Sequence, residues 1–491
     1  MNKLEEILGI SFPPKIVISS ATNSTQKIRK NSIFFALPGS QNHGSLYIEK
    51  ALELGASIVV HNDSSYRSDQ NNIFYIQDLQ EQEDATKNTK VYYFLKAFFK
   101  IDPSKFLIHT FTGTNGKTST AHLCHQLILN AGDNSLYIGT LGAQYNNEEV
   151  NTSLCSKTTP DIFEFYEILK NYDLKSANIC IEISSHALDQ KRLFDLTSVH
   201  SASLLNIGRD HLDYHSNIEE YAQTKFKIFN NISSLRLINE DLISTKDHYP
   251  QIYSVSNKNK LSDIYYEIIE SSIKITTFSI TINNASLVYL SDNSLKSCKY
   301  NFSCSLFPEF NINNLVFAIS VIGFNNFLED DFNDVSFLKL PKGRTELIPN
   351  IDSNIIIDYA HNPDGFKFLL SSINNYFNNL IIVFGCGGDR DKLKRPEMLS
   401  IAIEYGVKII FTSDNSRSEA FENIFADASI GNIIKDVILI EDRREAIIHG
   451  NGLMGDNDCM VILGKGHEET QDIGGKISYF SDHEVVNEIY K

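Results

Sequence analysis

The stretch "FTGTNGKTST", residues 111–120, decides how this chain is read. Its Gly-Lys-Thr resembles the end of a phosphate-binding loop. The general pattern asks for a glycine five residues before Gly116, and Phe111 stands there instead. The other physical requirements are met. "FLIHTF" (106–111) reads as a strand delivering the loop, and "KTSTAHLCHQLILNAG" (117–132) has apolar residues at helical spacing and a closing glycine. A helix start offers free N–H groups and a favourable dipole to anions. Gly113 and Gly116 allow close backbone approach, Lys117 can reach the β- and γ-phosphates, and Thr118 can ligate Mg²⁺. The bland alternative is a strand–helix turn with incidental glycines, and the flanking elements argue against it.

Outward from the loop, 491 residues suggest about three domains. A net charge of −17 argues against nucleic acid or an anionic membrane as partner, so bound phosphates need local donors and Mg²⁺. Seven cysteines without a CxxC pair predict neither a disulfide framework nor structural zinc, and fit a reducing cytoplasm. There is no signal-peptide apolar region, and no uninterrupted apolar run nears the ~18 residues of a membrane span.

Three regions separate. In residues 1–104, short apolar runs such as "SIFFALPG" (32–39) and "SIVVHND" (57–63) alternate with turns, ending in a helix and a Pro-containing linker. In residues 105–340, strands "NICIEIS" (178–184) and "SASLLNIG" (201–208) follow the loop. Period-two stretches "IKITTFSITI" (273–282) and "YNFSCSLF" (300–307) then predict an added antiparallel sheet. In residues 341–491, five buried strands end in polar or glycine-rich segments with helices between most of them, a βαβ pattern. Ligands of such sheets bind outside the carboxyl ends of the strands. The expected fold class is α/β with three domains: a small N-terminal α/β domain, a central P-loop ATPase-like parallel sheet with an extra antiparallel sheet, and a Rossmann-like C-terminal domain.

Two segments add candidate metal ligands. "IEISSHALDQKR" (181–192) puts Glu182 at a strand end, and "NIGRDHLDYH" (206–215) puts Asp210, His211 and Asp213 after another. A carboxylate and an imidazole from separate strand ends can share one cation. Taken alone, Glu182 suits a helix cap as well, and His211 a structural histidine.

"TGTNGKTS" (112–119) resembles the shortened loop of the Mur ligase superfamily, ATP-dependent amide-forming enzymes of peptidoglycan synthesis; folylpolyglutamate synthase is a relative. The resemblance covers nearly the whole chain. It implies that Gly113, Thr114, Asn115, Gly116, Lys117, Thr118 and Ser119 hold ATP, and that Glu182 and His211 hold Mg²⁺ between the nucleotide and the acceptor carboxylate. A second Mg²⁺ is expected, positioned by Lys225 in "YAQTKFKIF" (221–229) as its CO₂-derived carbamate. "PKGRTE" (341–346) and "DYAHNPD" (358–364) imply nucleotide contacts from Arg344, Asp358 and His361, with Arg344 on the γ-phosphate.

"FGCGGDRDKLKRPEM" (384–398), "TSDNSRSEA" (412–420) and "LGKGHEE" (463–469) resemble the family member that adds the third residue of the peptide stem. This implies UDP-MurNAc-L-Ala-D-Glu as substrate. Members adding meso-diaminopimelate carry Asp-Asn-Pro-Arg, and here Asp414, Asn415, Ser416 and Arg417 keep three of the four. Diaminopimelate differs from lysine by a distal carboxylate, which a guanidinium binds bidentately. Proline would have stiffened the turn that Ser416 occupies. By the same match Arg390, Gly464 and Glu468 line the amino-acid site, Glu468 taking the distal ammonium. For the nucleotide sugar the resemblance implies Ser24, Ser40, Gln41 and Asn42, and Thr158, Thr159, Ser184, Gln190 and Arg192 for the dipeptide-bearing part. Asn23-Ser24-Thr25 replaces the Asp-Ser-Arg of relatives, and Lys157 an Asn.

The expected enzyme is a cytoplasmic monomer acting on small molecules for cell-wall growth, and so for cell shape and division. The near rivals are a lysine-adding ligase of the family and a folylpolyglutamate synthase-like ligase. The rival of another class is a P-loop GTPase or kinase-like switch. It would need an Asn-Lys-x-Asp motif, which "NKNK" (257–260) does not match.

Overall fold

The computed structural model describes residues 2–491 apart from 40–41, 82–87, 154, 156, 194–195, 197, 212–213, 231, 243–250 and 288–297. The chain divides into two compact units: Met1–Thr110, Gly132–Ala202 and Phe226–Ser234 in one, and Phe111–Ala131, Ser203–Lys225 and Leu235–Lys491 in the other.

The first unit opens with a wholly parallel sheet of strands Ser20–Thr22, Ser32–Ala36, Ala56–His61 and Ile73–Tyr75, in that spatial order. Its two middle strands are continuous apolar runs, as a sheet covered on both faces requires. Phe34, Ala36 and Val59 pack with Ile48 and Ala51 of helix Ile48–Glu53. Phe35 lies 5.1 Å from Phe94 and 5.2 Å from Phe163, on helices Lys90–Phe99 and Ile162–Asn171. Both helices carry side-chain N-caps, from Thr89 and Asp161. Strand Ser135–Gly139 of this unit pairs in parallel with Asn178–Glu182 and antiparallel with Gly142–Tyr145.

In the second unit the helix Lys117–Asn130 packs against the apolar helix Phe310–Ile322. The period-two stretches form antiparallel strands: Thr276–Ile282 pairs with Ile264–Ser271 on one side and Cys298–Cys304 on the other. The C-terminal sheet has the order Glu346–Leu347, Asn354–Asp358, Cys459–Leu463, Leu380–Phe384, Lys408–Phe411, Val437–Leu439, parallel except for the first strand. Alternate residues face opposite layers. Ile356, Ile382, Phe384 and Val461 pack on helices Pro363–Ile373 and Lys394–Tyr405. Ile355, Ile357, Val383 and Ile462 pack on Arg443–Gly452 and Asp482–Ile489. This is the doubly wound arrangement, with its loops gathered at the carboxyl edge. A short hairpin, Thr470–Ile473 with Lys476–Tyr479, follows the last central strand. The parallel sheets and the antiparallel extension give the α/β class expected from the sequence.

All seven cysteines are buried and unbridged. Among the described residues no helix is long and apolar enough to cross a membrane.

Candidate functional site

The glycine that the general loop pattern asks for has no place here, because its position lies inside the strand. Phe111 is a fully buried residue of Leu107–Thr112, and the loop proper is only residues 113–116. Gly116 caps the following helix with φ 85° and no side-chain cap. A Cβ there would stand 2.5 Å from Asn314 Oδ1, so no other residue fits. A helix start with no side-chain cap from its N-cap residue suits an anion, as a phosphate site requires. Asn206 staples the loop: its Oδ1 accepts from Asn115 N at 2.9 Å and its Nδ2 donates to Asn115 O at 3.0 Å. Thr114 Oγ1 accepts from Gly208 N at 2.8 Å and lies 3.1 Å from the Tyr221 hydroxyl. Thr118 and Ser119 are buried in the first turn.

Lys117 Nζ donates to Gly113 O at 2.8 Å and to Thr114 O at 2.9 Å. Lys225, on helix Ile218–Phe226, is 1% exposed and donates to the same Gly113 oxygen at 2.8 Å. Its Nζ lies 4.7 Å from the Tyr221 ring centroid. Burial, and then the neighbouring Lys117 charge, drive the Lys225 amine well below the usual lysine range, only partly opposed by Asp210. His211 has a left-handed backbone, φ 54°, and its Nε2 lies 3.7 Å from Asp210 Oδ2. Burial pushes the Asp210 carboxyl up, but His211, His361, Lys117 and Lys394 together pull it below its ordinary value. Asp213 lies outside the described residues.

In the first unit, Glu182 is fully buried at the end of its strand. Oε1 accepts from the Tyr137 hydroxyl at 2.5 Å and from Thr140 N at 2.9 Å, and Oε2 from Thr140 Oγ1 at 3.0 Å. These donors hold the carboxylate in place, and carboxylate oxygens are the ligand type that a hard cation takes. The dipeptide residues gather beside it. Thr159 Oγ1 donates to Glu182 O at 2.8 Å and accepts from Ser184 N at 3.0 Å, and Ser184 caps helix Ser185–Asp189. Arg192 donates to Gln190 Oε1 through Nε and Nη2, and through Nη1 to Thr159 O at 3.1 Å. Thr158 Oγ1 accepts from Thr140 at 3.2 Å. Of the N-terminal candidates, Ser24 is half-buried and Asn42 exposed. Ser40 and Gln41 lie outside the described residues. Asn23 donates to Asp161 Oδ2 at 3.2 Å, so the residue replacing an aspartate pairs with one.

Among the described residues no group of three or more His, Cys, Asp or Glu side chains gathers as a metal site. The expected Mg²⁺ set has only two such side chains, Glu182 in the first unit and His211 in the second, with Thr118 and Lys225.

The C-terminal sheet brings the rest together at its carboxyl edge. Arg344 Cζ stacks 4.3 Å from the Tyr359 ring centroid, and its Nε is buried without a hydrogen-bond partner among the described residues. Asp358 accepts from Thr345 N at 2.6 Å, Thr345 Oγ1 at 3.0 Å and Ala360 N at 2.6 Å, so its carboxylate shapes the Arg344 turn from within the fold. His361 Nδ1 is 2.9 Å from Tyr359 O, which fixes the proton there and leaves Nε2 available; burial keeps the ring neutral. Burial, with Glu468 alongside, pushes the Tyr359 hydroxyl up to about 12.

Arg417 has φ 49° and donates through Nη1 to Gly388 O at 2.5 Å. A Cβ on Gly387 would stand 3.2 Å from Arg417 Nη1 and 3.8 Å from Arg390 Cγ, so the two arginines flank one small space. Ser416 is 3% exposed and holds no rigid φ, yet the turn is pinned from outside. Arg417 N donates to Asp472 O at 3.0 Å, and Gln471 Nε2 donates to Asp414 O at 3.1 Å, both from the hairpin. Gly464, at φ 109°, presents an α-carbon whose Cβ would lie 2.4 Å from Asp414 Oδ2. Asn415 Nδ2 donates to Glu468 Oε2 at 2.9 Å.

Several residues of these sites escape the motif reading. Asn206 and Asn314 sit beside the loop. Lys394 donates to His361 O at 2.9 Å. The buried Lys465 Nζ reaches Asn415, Glu468 and Thr470. Two signals were present: asparagines in a mainly apolar helix, and a lysine just beyond a buried strand.

The geometry agrees with known proteins. Residues 111–322 match the Mur ligase middle domain and residues 343–466 the Mur ligase, glutamate ligase domain. The UDP-N-acetylmuramoyl-L-alanyl-D-glutamate--2,6-diaminopimelate ligase of Aquifex aeolicus is 34% identical, over 98% of this chain and 95% of that protein. The enzyme of the same name from Wigglesworthia glossinidia brevipalpis is 33% identical over 97% of this chain and 95% of its own length. A solved structure of a ligase of that name superposes with a TM-score of 0.62 at 28% identity, covering 99% of this chain and 98% of its own. The MurF ligase of Thermotoga maritima, solved with ADP, shares the fold at a TM-score of 0.60 and 15% identity, covering 92% of this chain and 95% of its own.

Proposed function

The chain belongs to the Mur ligase family, and from that premise we propose that it joins meso-2,6-diaminopimelate to UDP-MurNAc-L-Ala-D-Glu at the expense of ATP, a step of peptidoglycan biosynthesis. The observation that carries the choice of amino acid is the pinned Arg417. A guanidinium fixed at its backbone, beside Arg390 and on the turn whose Asn415 holds Glu468, suits an amino acid with a distal zwitterion. A lysine-sized ligand would leave that charge unmatched.

Transfer of the terminal phosphoryl group to the γ-carboxylate of the D-glutamate gives an acyl phosphate and ADP. Attack by the amine of diaminopimelate forms the amide and releases phosphate. The uncapped helix start and Lys117 bind the phosphates, and Arg344 stabilises charge on the transferring group. His361 offers Nε2 to the nucleotide, and Asp358 acts by fixing the Arg344–Thr345 turn. Thr118, Glu182, His211 and Lys225 are the residues to hold two Mg²⁺, which supply neutralisation between the carboxylate and the triphosphate. Lys225 suits a carbamate, because a buried amine kept neutral is the form that attacks CO₂. Thr158, Thr159, Ser184, Gln190 and Arg192 orient the dipeptide portion. Ser24, Ser40, Gln41 and Asn42 take the uridine diphosphate. The domains are 1–104, 105–340 and 341–491, and the enzyme works as a cytoplasmic monomer.

The test is phosphate release with UDP-MurNAc-L-Ala-D-Glu and a panel of diaminopimelate, lysine and ornithine. Release that needs both the nucleotide sugar and diaminopimelate is expected. Turnover with lysine and none with diaminopimelate overturns the assignment.

A further inference from the structure

Lys465 has no exposed side-chain surface. Its ammonium is divided among Thr470 O at 2.6 Å, Glu468 Oε2 at 3.1 Å and Asn415 Oδ1 at 3.3 Å. Taking an ammonium out of water is costly unless partners replace the water, and three acceptors do so here. The position lies one residue beyond a fully buried apolar strand, after Gly464, where Met would fill the same space without that cost. The partners are specific. Glu468 and Asn415 belong to the proposed amino-acid site, and Thr470 opens the hairpin whose Asp472 carbonyl takes the Arg417 N–H.

We infer that Lys465 is a positioning residue for the distal end of the amino acid, acting through Glu468 and Asn415 without touching the ligand. Lys465 and Asn415 Nδ2 both hold Glu468 Oε2, and the Tyr359 hydroxyl hydrogen-bonds the same side chain, so the carboxylate plane is fixed for an ammonium that would share its oxygens. Asn415 Oδ1 accepts from both Lys465 and Asp472 N, the latter at 3.0 Å, so its amide cannot flip and withdraw the donor from Glu468. The buried cation also offsets the charge of Glu468. The same ammonium ties the hairpin to the strand end, so the acidic and the guanidinium halves of the pocket share one anchor. The inference rests on the proposed amide-forming reaction and names which part of the chain sets its amino-acid affinity.

The experiment is steady-state kinetics on the full-length protein as Lys465→Met and Lys465→Gln. Gln keeps a donor for Thr470 and is the variant that decides should Met not fold. The KM for the amino acid is expected to rise about 10- to 100-fold with kcat within about threefold, and with KM for ATP and the nucleotide sugar unchanged. Lys465→Arg, which keeps the charge, recovers part of the loss. In a double-mutant cycle with Glu468→Gln the two effects are strongly non-additive. An unchanged amino-acid KM, or a loss spread equally over all three substrates, overturns the inference. Wild-type protein that couples no amino acid in the panel overturns the functional reading, and this inference with it. An active wild type with unaffected Lys465 variants overturns this inference alone.

Discussion

Lys117 and Lys225 donate to one acceptor, the carbonyl oxygen of Gly113, each at 2.8 Å. Two ammonium groups so placed repel, and the buried one yields: Lys225 is the amine driven down, by burial first and Lys117 second. A neutral amine reacts with CO₂, so the modified form is expected to build up at lower pH than for an exposed lysine, and faster as pH rises. Wild-type activity should fall in CO₂-depleted buffer and return with bicarbonate. Lys225→Ala should lose about 100-fold or more in kcat, the order seen when one charge-stabilising group is removed, and should ignore bicarbonate. Full activity in that variant would exclude the carbamate.

Restoring the glycine of the general loop should do harm. Phe111 is a buried strand residue, so Phe111→Gly removes core volume and leaves the loop itself unchanged. A loss of about 3–5 kcal/mol is expected in denaturant unfolding, with no gain in ATP affinity.

Arg417→Lys keeps a charge but loses the planar fork. The KM for diaminopimelate should rise roughly 10- to 100-fold, and lysine should become the better relative substrate. Competition between the two amino acids in one reaction measures this directly.

Ser416→Pro, although it restores the residue of relatives, should change the KM for diaminopimelate by less than about threefold, since the rigidity that Pro adds is already supplied by the hairpin. Gln471→Ala, which removes the donor to the Ser413 and Asp414 carbonyls, should raise it. Equal effects of the two substitutions would contradict the pinning.

A separate pH effect comes from His109, 3% exposed between Ser201 and Asn178. Burial lowers it from 6.5 to about 4, with Asn178 opposing and His200 adding. Between those values the unfolded chain binds the extra proton, so stability is full above about 6.5 and falls as pH drops toward 4. The Tm of wild type should fall more steeply across this window than that of His109→Gln.

The alternating and continuous apolar runs made the C-terminal sheet legible, because burial on two faces leaves strands such as "LIIVF" no polar positions. The loop was legible as well, through its small residues and the helix after it. Asn206 was not: an amide that staples a loop from a distant strand end carries no local periodicity. Lys465 was hidden because a lysine in a glycine-rich turn reads as solvated, and only the hairpin folded over it removes the water. The motif around Asp358 implies a nucleotide contact, and it carries no sign of the three donors within the chain that hold this carboxylate. The four-stranded parallel sheet near the N-terminus was only partly visible, since two of its strands have three residues each.

The hairpin over the Asp414–Arg417 turn sets the scale at which selectivity can be exchanged between relatives. Because a main-chain pairing with residues 472–473 holds the arginine, grafting four residues into a lysine-using homologue transplants the charge without its support. The heritable module is the turn together with the ten residues of Thr470–Tyr479, and chimeras cut between them should inherit the preference of neither parent.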